Sequence, residues 1–208
     1  AAYNLSLVLL SRGDELVKKN QLDQAAPLYD EAVAADPTNA AAQRSSALVH
    51  FRLGDKLLKA KEAEKKAAAA EHFKVAQRNF TAALKTEPND FDSNYTLGLT
   101  AYNLEKFDEM IGAYQRSIEI NPKHLGARYN LALAMKRKGL FEEAAQQAEE
   151  AKKIDSNDKD TNAMLASVYD EWKADLLKKG SAAVTEDRLR EAVDQWKKVL
   201  LIDSHNAE

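Results

Sequence analysis

Apolar positions in the middle of the chain recur at helical spacing. Tyr95, Leu99 and Tyr102 follow one another at intervals of four and three, which sets them on one helical face. After a short polar break, Met110, Ile111, Tyr114 and Ile118 form a second, broader apolar side. Neither segment can hide its apolar face alone, whereas stacking successive helices buries both. Prolines mark the breaks between such pairs: Asp36-Pro37-Thr38, Glu87-Pro88-Asn89 and Asn121-Pro122-Lys123 each close one amphipathic segment and open another. Proline stops a helix because it lacks the N–H and restricts the residue before it. Pro27 is expected within about the first turn of its helix, where a missing donor costs least.

The breaks are periodic. Pro37 and Pro88 are 51 residues apart and Pro88 and Pro122 are 34 apart; Ser156 follows 34 residues later and Ser204 another 48 on. Anchoring on these positions gives repeats over 6–39, 40–90, 91–124, 125–158 and 159–206. Small residues recur where two helices must approach, and aromatic or large aliphatic residues where the next layer must be filled. The third repeat carries Leu97, Gly98, Ala101, Phe107, Met110, Tyr114 and Pro122. The first carries Gly13, Leu16, Leu22, Ala25, Tyr29, Ala32 and Pro37, and the second Ala47, Gly54, Phe73, Ala76, Phe80, Ala83 and Pro88. Leu131, Ala132, Gly139, Phe141, Ala144, Ala148 and Ala151 mark the fourth; Leu165, Ala166, Tyr169, Leu189, Ala192, Trp196 and Val199 mark the fifth.

This arrangement resembles the tetratricopeptide repeat family over almost the whole chain, without that family's early tryptophan and with Met110 where alanine is usual. The resemblance implies an all-α fold, a right-handed superhelical solenoid of antiparallel helix pairs, as a single domain over 1–208. It also implies that the first helix of each repeat lines a concave groove. Carried over residue by residue, the groove comprises Arg44, Leu48, Phe51 and Arg52, then Tyr95, Leu99, Tyr102 and Asn103, then Tyr129, Leu133, Lys136 and Arg137. Its C-terminal end, with Asp160, Asp170 and Glu171, is expected to be acidic. Tyr129 and Leu133 stand where the family's carboxylate clamp uses polar groups, which argues against a chaperone-tail receptor.

Repeats two and five exceed 34 residues by 17 and 14, and both surpluses enter the turn inside the pair. Residues 55–71 hold no Gly or Pro and are rich in helix formers, so extra helical turns are expected rather than a flexible linker. In the fifth repeat Gly180 reads as a C-cap preceded by lysines, and Thr185 to Arg188 as the next start, with Ser181 an alternative cap. Leu57, Leu58, Leu176, Leu177 and Val184 are apolar residues available at these hairpins for a second surface or for packing within them.

Composition sharpens this picture. Charged residues make up 30% and the mean hydropathy is −0.53, with 7 Gly and 4 Pro in 208 residues, as befits a soluble helical domain. The 30 basic and 33 acidic side chains leave a charge of −3, unlike the basic footprint of a nucleic-acid binder. Lys56, Lys59, Lys61, Lys65, Lys66 and Lys74 are interleaved with Glu62, Glu64 and Glu71, which reads as a salt-laced helix surface. Leu7 to Leu10 is too short to span a bilayer, so direct membrane insertion is not expected of this segment. Cysteine is absent, and both a cytosolic and a bacterial periplasmic setting fit. The Ala-Ala-Tyr start fits an excised domain or a processed product.

No metal-ligand spacing joins His50, His72, His124 and His205, and no phosphate-binding glycine loop or nucleophile elbow is present. No metal, no cofactor and no catalytic role are expected. The leading expectation is a protein-interaction scaffold or assembly adaptor that holds a protein or peptide segment in the groove. The alternative is a structural module, self-associating or a spacer, that uses the lengthened hairpins.

Overall fold

Helix formers fill the segments between the proline-marked breaks, and the breaks carry the residues that end helices. The computed structural model describes residues 2–59, 62–185 and 188–205, and these are all-helical. In chain order the helices are α1 (Ala2–Lys18), α2 (Leu22–Ala35), α3 (Ala40–Leu58), α4 (Ala63–Thr86), α5 (Phe91–Asn103), α6 (Phe107–Ile120), α7 (Leu125–Arg137), α8 (Phe141–Ile154), α9 (Lys159–Thr185) and α10 (Leu189–His205). Two compact units divide at Pro122: Ala1–Pro122 holds α1 to α6 and Lys123–Glu208 holds α7 to α10. Inside each unit, neighbouring helices pack as pairs joined by short turns.

The first helix of a pair is fixed by a repeated polar device. Asn39, Asp90, His124 and Asp158 accept hydrogen bonds from the backbone N–H three residues on, at 2.8 to 3.2 Å. Each satisfies a donor that the helix start leaves open. An amide side chain then reaches back six residues to the turn carbonyl: Gln43 donates to Pro37, Asn94 to Pro88 and Asn162 to Ser156. This clasp holds the preceding turn against the new helix and satisfies a carbonyl that would otherwise need water.

Within the pairs, glycine receives an aromatic ring. A Cβ on Gly13 would lie 2.5 Å from the Tyr29 ring, one on Gly54 2.9 Å from Phe73 and one on Gly98 2.6 Å from Tyr114. Gly180 meets the indole of Trp196 in the same way. In α7 and α8 the equivalent positions are Ala132 and Ala148, both buried, so both partners differ from the glycine and aromatic found elsewhere. Phe73, Phe80 and Tyr114 are at most 2% exposed, and burying each such ring stabilises the pair by about 1.5–3 kcal/mol.

The lengthened pairs partition their extra residues differently. α3 and α4 run to 19 and 24 residues against 13 and 14 in α5 and α6, so both helices of that pair grow. In the last pair α9 takes 27 residues while α10 has 17. Gly180 is therefore no C-cap. It lies inside α9, selected by the indole that packs on it, and Ser181 and Thr185 belong to the same helix. Glu186 and Asp187 of the expected start lie outside the described residues, and α10 opens at Leu189. Pro27 falls in the second turn of α2 rather than the first. It is exposed, so water can serve the carbonyl that its missing N–H leaves open.

Candidate functional site

Each expected groove residue lies on the first helix of a pair, and the two units are described in turn. In Ala1–Pro122, α3 and α5 present the first two groups. Arg44 and Leu48 line a cleft of about 230 Å³ together with Phe80, Asp92, Ser93 and Thr96. Leu48 is 47% exposed and Tyr102 42%, both high for large apolar side chains. The Arg44 guanidinium pairs with Glu87 in the turn after α4, and Arg52 is exposed. The other positions serve packing more than display. Phe51 is half-buried with its ring 5.8 Å from Phe73. Tyr95 stacks on Phe91 at 5.8 Å and meets Tyr114 edge-on at 5.6 Å. Leu99 is half-buried, and Asn103 turns its amide back onto the Leu99 carbonyl at 3.0 Å.

In Lys123–Glu208, α7 carries Tyr129 and Leu133, both half-buried, and Lys136 and Arg137. Lys136 is largely buried. Its ammonium lies 2.7 Å from the Glu171 carboxylate and donates to the Ser167 hydroxyl at 2.7 Å, both on α9. The expected basic border and acidic end thus neutralise each other at this point, while Arg137 stays exposed. Of the hairpin residues, Leu58, Leu177 and Val184 are exposed and Leu57 is half-buried. Leu176, at 3% exposure inside the continuous α9, is buried, so of the two expected uses packing fits it and a second surface does not.

Several lysines of the lengthened pair are matched by acids: Lys56 with Asp23 at 3.1 Å, Lys59 with Asp55 at 2.8 Å, Lys65 with Glu62 at 3.1 Å and Lys74 with Glu71 at 2.7 Å. Being exposed, such pairs add little stability. Among the described residues, no group of three or more His, Asp or Glu side chains is arranged to hold a metal ion. No helix of the described residues is long and apolar enough to cross a membrane.

Two features have no counterpart in the sequence reading. His50 and His72, separated by 22 residues, meet at 2.8 Å between their Nδ1 atoms across α3 and α4. His50 Nε2 faces the Asp30 carboxylate at 3.0 Å, and Ser46 donates to the same carboxylate at 2.6 Å while accepting from Asn79 at 2.8 Å. Burial works to raise the Asp30 pKa, but the hydrogen bonds from His50 and Ser46, with the charges of His50 and Arg78, outweigh it and hold it below the ordinary value. Burial, helped by His50, pushes His72 down against the opposing pull of Asp23 and Asp30. Only pairwise spacing across a helical hairpin could have signalled this contact. The second feature is a cleft of about 520 Å³ lined by Glu142, Glu149, Tyr169, Trp172 and Leu201. Tyr169 donates its hydroxyl to Glu149, and burial followed by that carboxylate raises the phenol's pKa. The i, i+3 spacing of Tyr169 and Trp172 was the available signal.

Comparison with known proteins agrees with the paired-helix fold. The peroxisomal targeting signal receptor of Saccharomyces cerevisiae is 31% identical over 119 residues, which is 55% of this chain and 19% of the receptor. The photosystem I assembly protein Ycf3 of Acaryochloris marina is 33% identical over 87 residues, 40% of this chain and 49% of that protein. The chain thus spans less than a fifth of the peroxisomal receptor and about half of Ycf3 in these matches. Among solved structures, YrrB, described as a TPR protein with an unusual peptide-binding site, superposes with a TM-score of 0.61 at 21% identity, over 93% of this chain and 84% of its own. MamA from Desulfovibrio magneticus RS-1 gives 0.63 at 15% identity over the whole of both chains. The tetratricopeptide repeat profile matches residues 10–70, 65–124 and 95–159. With most of its length matched by that profile and its helices paired accordingly, the chain belongs to the tetratricopeptide repeat family.

Proposed function

We propose that this protein is a non-catalytic interaction scaffold that takes a peptide segment of a protein partner on the first-helix face of its repeats. The observation that carries the reading is the exposure of Leu48 on α3, which lines a cleft with Arg44 and Asp92, and of Tyr102 on α5. Stacked helix pairs use extended surfaces of this kind for binding, and exposed tyrosine and arginine side chains combine apolar area with hydrogen bonding. The likeness to peroxisomal targeting signal receptors and to a peptide-binding tetratricopeptide structure supports a peptide as the ligand. Tyr129, Leu133 and Arg137 on α7 are the corresponding surface of the second unit. Tyr95, Leu99 and Phe51 shape the face from behind.

Cross-linking and mass spectrometry on a native extract, run beside a Leu48→Asp/Tyr102→Ala variant, tests the reading. Specific partners are expected to fall at least about tenfold in the variant, the loss of roughly 1.4 kcal/mol or more of binding. Unchanged recovery of every specific partner sinks the assignment of this face.

A second reading is favoured by a separate observation. Leu189, Val193, Trp196 and Leu200 recur at helical spacing along α10 and are 57%, 46%, 39% and 69% exposed. This stripe, together with Leu177 and Val184, supports self-association of the module. Light scattering over a concentration series tests it: a mass that stays monomeric throughout rules it out, and a rising mass abolished by Leu200→Glu supports it.

A further inference from the structure

Four helical glycines of this chain each hold an aromatic ring of the partner helix, but Gly112 in α6 does not. It is exposed, and nothing lies within 4 Å of the position a Cβ would take. Glycine inside a helix lowers its stability relative to alanine, so its place here answers to no packing need of the fold itself. What Gly112 does is widen a cleft of about 680 Å³ between the second helices α4 and α6, lined also by Asn94 and Leu97 of α5 and sharing none of the residues assigned to the face proposed above. Lys74, Arg78 and Lys85 run along the α4 wall at helical spacing. Half-buried Leu97 and Gly112 give the cleft apolar and open ground, and Glu109 stands on the α6 wall.

The charges decide what fits. Glu109 is already engaged by Lys106 and Gln77, and Lys74 by Glu71. Arg78 donates to the Asn79 amide oxygen and its charge reaches Asp30, but among the described residues neither it nor Lys85 has a carboxylate within ion-pair distance. This wall is therefore positive on a chain whose net charge is −3. We propose that the α4–α6 cleft docks an acidic peptide segment of a protein partner, which seats one bulky apolar side chain over Gly112 and sets its carboxylates against Arg78 and Lys85. The ring-on-glycine contact made four times inside the molecule is the geometry by which an incoming aromatic side chain approaches the α6 backbone. Neighbouring cations select glutamate or aspartate beside it.

The probe is a fluorescein-labelled synthetic peptide with one tryptophan flanked on each side by three glutamates, titrated by anisotropy against the full chain. Saturable binding is expected. Gly112→Leu, which fills the cleft, is expected to weaken it at least tenfold with thermal stability unchanged or raised. Lys85→Glu, an exposed change that leaves the core untouched, is expected to weaken it about as much. The same peptide with glutamines in place of glutamates is expected to bind at least tenfold more weakly, and Tyr102→Ala, outside the cleft's lining, to leave its affinity for this cleft unchanged. Absence of saturable binding overturns the proposal. So does binding that survives both Gly112→Leu and Lys85→Glu, equal binding of the glutamine peptide, or binding lost instead with Tyr102→Ala.

Discussion

The turn inside three of the helix pairs places a residue at positive φ: Asn20 at 57°, Glu105 at 55° and Gly139 at 73°. Glycine adopts this left-handed conformation without strain and asparagine tolerates it, but glutamate carries a Cβ that crowds the following carbonyl. Glu105 is exposed, so nothing else in the structure compensates it. Glu105→Gly is expected to stabilise the protein by about 1 kcal/mol and to raise the melting temperature by about 2–4 °C. A thermal melt monitored by circular dichroism checks this, and a lowered midpoint contradicts the strain argument.

Titration at Asp30 and His72 also acts at this scale. Both folded-state pKa values lie below the ordinary ones, 3.8 for Asp30 and 6.5 for His72. For His72 the unfolded chain binds the proton more readily, so its contribution to stability is complete above pH 6.5 and is lost as the pH falls through the folded value. Asp30 has the same sign in a lower window: its contribution is present above pH 3.8 and disappears below it as the carboxylate protonates. Stability measured by urea midpoints is thus expected to decline in two stages on acidification. His72→Gln is expected to remove the first stage and keep the second; persistence of both assigns the first to another group.

Helix pairs are the natural unit at the next scale, and here the sequence was most informative. Periodic apolar residues and proline-marked breaks made the all-helical, paired architecture legible because both depend on spacings within one or two turns. The end of α9 was not legible. Lysines before Gly180 look like a helix terminus locally, and only the indole of Trp196, sixteen residues on, explains a glycine in mid-helix. The His50–His72 contact was hidden for a similar reason, since it depends on how α3 and α4 register across their turn. The ring-on-glycine contact predicts that Gly98→Ala costs about 1–3 kcal/mol by forcing Tyr114 aside. Combined with Tyr114→Leu, the loss is expected to be smaller than the sum of the two single changes, because the second relieves the clash made by the first. Denaturant titration of the four proteins of the cycle measures the difference; strict additivity is the contrary result.

For the whole molecule, the first-helix face was legible as a set of positions but not as a set of roles. Equivalent places in successive repeats hold a half-buried Phe51 set against the Phe73 ring, an exposed Tyr102, and a Lys136 already bound to Glu171. Burial and pairing separate these roles, and both arise from neighbours that a repeat frame does not name. The distribution of aromatic residues has a practical consequence. Trp172 and Trp196 both stand in Lys123–Glu208, whereas Tyr3, Tyr29, Tyr95, Tyr102 and Tyr114 stand in Ala1–Pro122. Selective excitation of indole therefore gives an optical reporter confined to the second unit, while far-UV ellipticity follows the helices of both. If the two units melt as one cooperative body, the two signals share a midpoint; a separate indole transition means that the C-terminal helices unfold on their own.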